Sequence, residues 1–125
     1  MLSKIMFIFP GQGGQYAGMG SDLCAEFPVA AAIYEQANKV LGFDITALSH
    51  NGPEEELGLT RNTQPALLKH EVACLEVFRD LTDGKVAASL AAGHSLGEYS
   101  ALVAAGVLSF EDGLRLVRRR GELMG

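Results

Sequence analysis

Gly93-His94-Ser95-Leu96-Gly97 is a GxSxG pentapeptide. A serine in that setting, on a tight turn between a strand and a helix, is the nucleophile of acyl-transfer chemistry. The glycines let the chain turn sharply enough to lift the hydroxyl off a sheet. The helix that starts behind it then aims free N–H groups and its positive end at an oxyanion formed there. The plainer reading is a glycine-flanked N-cap serine, although a cap requires a glycine on neither side. A serine also needs a base, and the chain has three histidines, His50, His70 and His94. In α/β-hydrolases the acid and the histidine follow the serine, yet residues 96–125 contain no histidine, which excludes a self-contained hydrolase of that order. His94 is adjacent to Ser95, and neighbouring side chains at a sharp turn point apart, so it is expected to pack or orient the turn. His70 stands four residues before Cys74, either the start of a metal site or a half-exposed helix histidine, and His50 sits in a polar stretch without an evident partner.

A second glycine-rich loop, Pro10-Gly11-Gln12-Gly13-Gly14-Gln15, invites a nucleotide reading. Its spacing defeats that reading. A dinucleotide fingerprint from Gly11 needs glycine where Tyr16 stands, and no Gly-Lys-Ser/Thr follows for a phosphate loop. The loop still offers unobstructed backbone N–H groups and is a candidate for the second donor of an oxyanion hole.

The last helical stretch carries Arg115, Arg118, Arg119 and Arg120. Phe110, Leu114, Val117, Gly121 and Met124 recur at helical steps and predict its buried stripe. Arg120 is flanked at helical spacing by Leu116, Val117, Leu123 and Met124, whereas Arg118 is flanked by Leu114, Arg115, Gly121 and Glu122. Arg120 is therefore the arginine expected at a buried edge. There its planar fork requires an anionic partner, either the carboxylate of a ligand or one of the chain's own acids. Arg115, Arg118 and Arg119 read as a solvated face pairing with Glu122.

The elements that must position these groups follow from patterning. Ile5 to Phe9 is a continuous apolar run ended by glycines, which suits a strand buried on both faces of a parallel sheet. A helix is predicted from Pro28 to Gly42 and a second from Pro65, with Leu68, Val72, Leu75 and Phe78 on its apolar face. Residues 43–60 read as irregular, with a turn at Asn51-Gly52-Pro53 and a short helix start at Glu54. Lys85 to Ala92 is the second strand candidate. Helices are predicted from Leu96 to Ala105 and from Ser109 to Met124, the latter opened by Ser109 with Asp112 in a capping arrangement. Alternating strands and helices define an α/β protein.

The 125 residues, 48% of them hydrophobic and 20% charged, suit one domain with a real core. Fifteen glycines and four prolines without a biased tract argue against disorder. A formal charge of −5 argues against a nucleic-acid partner. Cys24 and Cys74 make no disulfide framework and no CxxC site. The apolar run after Met1-Leu2-Ser3-Lys4 stops at Pro10, short of a signal peptide core, and no run approaches the roughly 20 apolar residues of a membrane span. A cytoplasmic protein without a membrane partner is expected.

Four blocks, taken together, resemble one family. They are Phe9-Pro10-Gly11-Gln12-Gly13-Gly14-Gln15, Thr63-Gln64-Pro65-Ala66, Gly93-His94-Ser95-Leu96-Gly97-Glu98-Tyr99-Ser100-Ala101 and Arg120-Gly121-Glu122-Leu123-Met124. Their order and wording are similar to the malonyl-CoA:acyl carrier protein transacylases, including the acyltransferase domains of fatty acid and polyketide synthases. The resemblance implies that Ser95 carries the acyl group as an ester between coenzyme A and the phosphopantetheine thiol of acyl carrier protein, by ping-pong transfer. It implies that Arg120 pairs with the malonyl carboxylate, that the N–H groups of Gln12 and Leu96 form the oxyanion hole, and that Gln64 lines the site. His94 matches the residue before the nucleophile in the substrate site, distinct from the catalytic base, and Leu96 is the residue found in malonyl-selective members. No resident cofactor or metal is implied, since malonyl-CoA is the substrate and the partner carries the phosphopantetheine.

Gly14 departs mildly from the family, which often has serine there. Length is the larger departure. Family members are much longer, and their catalytic histidine, their later strands and most of their ferredoxin-like subdomain lie beyond residue 125. Residues 1–125 are thus expected to be the N-terminal part of an α/β-hydrolase-like large subdomain, with the remaining part of the acyltransferase supplied in the same or another chain. Such a parallel sheet is expected to expose a bare edge and apolar faces. A serine esterase or thioesterase, which gives Arg120 no carboxylate to hold, and a non-catalytic binding piece, in which Ser95 is unreactive, are the competing readings.

Overall fold

The apolar run ahead of Pro10 forms strand β1 (Met6–Phe9), and the chain then reaches α1 (Ser21–Glu26) and α2 (Pro28–Leu41). In this computed structural model residues 5–125 are described; Met1–Lys4, which the sequence places ahead of the first strand, lie outside them. Pro28 sits in the first turn of α2, and Gly42 closes it at φ 78°, in the left-handed region that favours glycine. Next come α3 (Ile45–Asn51), α4 (Glu54–Leu57), α5 (Thr60–Leu81), β2 (Leu90–Gly93), α6 (Leu96–Ala104) and α7 (Phe110–Met124).

Residues 43–60 are more regular than their sequence suggested. Asp44 caps α3, its carboxylate accepting from the Ala47 N–H at 2.9 Å. Burial of Ile45, Ser49 and Leu57 holds the two short helices against the core.

Helix α5 begins at Thr60, not at Pro65. A proline inside a helix removes one N–H donor and leaves the carbonyl four residues earlier, here Arg61, without its helical partner. That carbonyl instead accepts from Arg118 Nη1 at 2.8 Å, so the helix runs through the proline. Nearly all of α5 from Asn62 to Ala73 is buried, and α2, α6 and α7 pack around it. The main core unites Leu67, Leu68 and Val72 of α5 with Leu57, Leu96, Leu114 and Val117. Ser109 caps α7 as expected, accepting from the Asp112 N–H at 3.1 Å.

β1 and β2 pair in parallel with Met6 opposite Leu90 and Phe9 opposite Gly93. The second strand is shorter than the predicted Lys85–Ala92, because β1 offers only four residues to pair and Lys85 is held back by a turn bond to Thr82. Burial on both faces is not found. Phe9 packs with Leu75 of α5 and Ala101 of α6, and Phe7 meets Phe78 edge to face at 5.6 Å. On the other face Met6, Ile8 and Leu90 remain 49%, 70% and 61% exposed, since the described helices cover one side of the sheet.

Candidate active site

Ser95 lies between the end of β2 and the first residue of α6, with φ 55° and ψ −108°. A non-glycine residue in that region is strained, and such strain persists only where the surroundings impose it. Both flanking glycines impose it. A Cβ on Gly93 would lie 1.9 Å from the Gly97 carbonyl oxygen, and one on Gly97 would lie 2.0 Å from the Phe9 carbonyl oxygen. The N-cap alternative fails on the same geometry: Ser95 makes no side-chain cap bond, whereas the genuine cap Ser109 has φ −71° and does. The turn has the strained strand-to-helix geometry of an elbow, and the Gly97 and Glu98 N–H groups at the start of α6 bond back onto it, to the His94 and Ser95 carbonyls at 3.0 Å each.

The other residues singled out in the sequence converge here. Arg120 Nη2 donates to Ser95 Oγ at 3.0 Å and Arg120 Nη1 to Gln64 Oε1 at 2.5 Å. Gln64 Nε2 in turn donates to Gln12 Oε1 at 3.0 Å. One hydrogen-bonded line therefore runs from the β1 loop through α5 and α7 to the elbow. The loop itself abuts the turn, as a Cβ on Gly11 would lie 2.6 Å from the His94 carbonyl oxygen. Leu96 is fully buried under the elbow.

Arg120 is half-buried at the edge that helix periodicity assigned to it, but the expected buried stripe stops short: Met124 is exposed, as are Leu116 and Leu123 beside Arg120. No acid of the described residues lies in salt-bridge range of Arg120, so the internal ion-pair alternative is not realised. Its guanidinium also lies 5.5 Å from the ring centre of Tyr99, a contact the sequence reading missed although Tyr99 stands one helical turn after Ser95.

Arg118 and Arg119 pair with Glu122 as expected, at 3.8 and 3.7 Å, but Arg118 does not lie on a solvated face with Arg115 and Arg119: it is half-buried and donates to Asn62 Oδ1 at 2.6 Å as well as to the Arg61 carbonyl.

None of the three histidines occupies the position of a base. The hydrogen bond to Ser95 Oγ comes from Arg120, while His94 is exposed and contributes through its backbone, accepting from the Gly97 N–H and donating to the Phe9 carbonyl. His70 hydrogen-bonds Tyr34 through Nδ1 at 2.7 Å and touches Cys74 Sγ at 3.6 Å. His50 lies on α3, not in an irregular loop, and stacks on Tyr34 at 5.4 Å. Burial, with Lys69 adding, holds both imidazoles below their ordinary pKa. The described residues contain no cluster of three or more His, Cys, Asp or Glu side chains placed to hold a metal.

Behind the elbow, Ser100 on α6 donates to Glu71 Oε1 on α5 at 2.6 Å. Burial pushes the Glu71 carboxyl up to about 7. No helix of the described residues is long and apolar enough to cross a membrane.

Residues 6–125 match the family described as the acyl transferase domain. The chain belongs to the acyl transferase domain family. It is 49% identical over 123 residues to the malonyl CoA-acyl carrier protein transacylase of Bacillus subtilis, covering 98% of this chain and 38% of that protein. It is 52% identical to the polyketide biosynthesis protein ThaF of Burkholderia thailandensis, covering 10% of it. Among solved structures it aligns with a type II polyketide synthase acyl carrier protein in complex with its malonyl-transacylase, at TM-score 0.91 and 52% identity over 98% of this chain and 39% of that one. It also aligns with an acyl carrier protein S-malonyltransferase from Vibrio cholerae, at TM-score 0.92 and 48% identity, again covering 98% and 39%. The chain thus spans about two fifths of the length of the malonyl transacylases it matches.

Proposed function

We propose that this chain supplies the nucleophile, the oxyanion hole and the carboxylate clamp of a malonyl-CoA:acyl carrier protein transacylase, as the N-terminal part of its large subdomain. The observation that carries this reading is the contact of one arginine, Arg120, with both the elbow serine and Gln64, with no acid of the described residues in salt-bridge range. An esterase acting on uncharged acyl groups has no use for a guanidinium there.

In the proposed reaction Ser95 Oγ attacks the thioester carbonyl of malonyl-CoA. The N–H groups of Gln12 and Leu96 take the developing oxyanion, and coenzyme A leaves as its thiol. Arg120 turns its fork from Gln64 and Ser95 to the malonyl carboxylate, which fixes the carbonyl over the serine. The acyl-serine is then attacked by the phosphopantetheine thiol of acyl carrier protein, which regenerates the Ser95 hydroxyl and yields the malonylated carrier. His94 lines the entrance without taking the serine proton; the base comes from the remaining part of the acyltransferase. The transfer needs no resident cofactor and no metal. It takes place in the cytoplasm, on a small-molecule thioester and an acidic carrier, without nucleic acid or membrane.

The test is transfer from malonyl-CoA to holo acyl carrier protein, followed by the mass of the carrier. Malonylated carrier is expected when this chain is joined to the remainder of a transacylase, and only a basal rate with this chain alone. Full-rate malonylation by residues 1–125 alone would overturn the assignment of the base to another segment.

A further inference from the structure

Arg118 keeps the expected pairing with Glu122, Nε to Oε2 at 3.8 Å, but its Nη1 side departs from the solvated face expected of it. Its Nη1 donates both to the Arg61 carbonyl, the acceptor that Pro65 leaves open, and to the buried Asn62 Oδ1. Its guanidinium lies 4.8 Å from the ring centre of Phe43, and Asn62 Nδ2 is anchored on the Glu56 carbonyl at 2.8 Å. The helix axes cross with no clearance at this point, since a Cβ on Gly121 would lie 2.6 Å from the Thr60 carbonyl oxygen. Two rungs therefore join α7 to the start of α5 beside this crossing, Arg118 to Arg61 and Asn62, and Arg120 to Gln64. The first rung touches nothing in the site; the second forms it.

We propose that Arg118 is a positioning residue: by clamping the start of α5 it holds Arg120 in register with Gln64 and Ser95, and so sets the preference for acyl groups that end in a carboxylate. This inference rests on the reading of Arg120 as the carboxylate clamp. The physical reason is the steepness of orientation: a displacement of about 1 Å at a clamp costs up to 100-fold in rate. The apolar contacts of Leu114 and Val117 keep α7 on the core without Arg118, but apolar packing is not directional and does not fix a guanidinium.

The decisive variant is Arg118→Met, which keeps the aliphatic stem against Phe43 and removes every donor. Two readouts separate positioning from folding. The first is the guanidinium N–H signal of Arg120 in proton–nitrogen NMR, assigned by its absence in Arg120→Ala; it is expected to broaden into fast solvent exchange while the backbone amide spectrum of the core persists. The second is the ratio of malonyl to acetyl loading of Ser95 from the two thioesters, expected to fall about tenfold through a higher half-saturating malonyl-CoA concentration. Arg118→Lys is expected to recover part of both, and Arg115→Ala to change neither. An unchanged Arg120 signal in folded Arg118→Met, or an unchanged loading ratio, overturns the proposal. Should Arg118→Met not fold, Arg118→Lys and Asn62→Ala decide it by the same readouts. If the parent chain shows no malonyl preference, the carboxylate reading of Arg120 falls, and the Arg120 signal alone still decides whether Arg118 positions it.

Discussion

Replacing Arg120 by alanine is expected to cut malonyl loading of Ser95 by about 100-fold, close to 3 kcal/mol of transition-state stabilisation, while acetyl loading is retained. The asymmetry follows from the two things Arg120 does. Its fork donates to Gln64 Oε1 and Ser95 Oγ. On the proposed reading it is the cation that pairs with the free carboxylate of a malonyl group, and a carboxylate brought into this half-buried site without it is left unpaired. An acetyl group presents no such charge. Removing the arginine also removes a donor from Ser95 Oγ and leaves that hydroxyl free to attack. Parallel time courses with malonyl-CoA and acetyl-CoA, read by intact mass, check this. Equal loss with both substrates would mean that Arg120 supports the elbow and does not select the acyl group.

The second large effect lies away from the site. Lys69 is 0% exposed, its Nζ hydrogen-bonded to Ser49 Oγ and 3.8 Å from the ring centre of Tyr34, with no acid of the described residues in salt-bridge range. Burial pulls its pKa down to about 7. The unfolded chain, with an ordinary lysine, binds more protons than the native state between that value and the usual one near 10.5, so this group makes stability rise with pH across that window. Below about 7 both states are protonated and the cost of the buried charge is complete. Lys69→Met is therefore expected to stabilise the chain, and to do so by about 3 kcal/mol more at pH 6 than at pH 10. Urea unfolding of both proteins at the two pH values measures it. Glu71, raised to about 7 by burial, contributes the opposite slope between its ordinary value and 7, but does so in both proteins and cancels from the comparison. A gain independent of pH would show that Lys69 is accommodated as a cation throughout.

Local chemistry was the legible part of this sequence. GxSxG announces an elbow because only glycine at position 93 fits against the Gly97 carbonyl, a local constraint; the demand of the Phe9 carbonyl on Gly97 comes from the neighbouring strand. Arg120 could be separated from its three neighbours by helical phase, which fixes direction to within a residue. Its partners within the chain are a pair of neutral groups and not an acid, and only the fold brings Gln64 and Ser95 beside it. Arg118 shows the limit of the same reasoning. Its helical neighbours include Arg115 and Glu122, which reads as solvated, yet its anchors Arg61 and Asn62 stand far back in the chain. The start of α5 was misjudged for a linked reason: proline is taken as a helix opener unless another group satisfies the carbonyl it orphans, and here that group is Arg118. The sheet was overestimated in burial because a continuous apolar run reports what a strand can bury, while Met6, Ile8 and Leu90 form a face the described helices leave open.

The central claim is that Ser95 is an acyl-accepting nucleophile, and it is tested most directly by locating the acyl group. The chain is exposed to malonyl-CoA, its intact mass followed over time, and the modified peptide identified, with Ser95→Ala alongside. Sites stripped of one member of their catalytic set keep roughly 10³- to 10⁴-fold of rate over water from the oxyanion hole and binding alone. The account therefore predicts a slow gain of one malonyl group, confined to the peptide that carries Ser95 and absent from Ser95→Ala. No gain at saturating malonyl-CoA, or the same gain in Ser95→Ala, would contradict it.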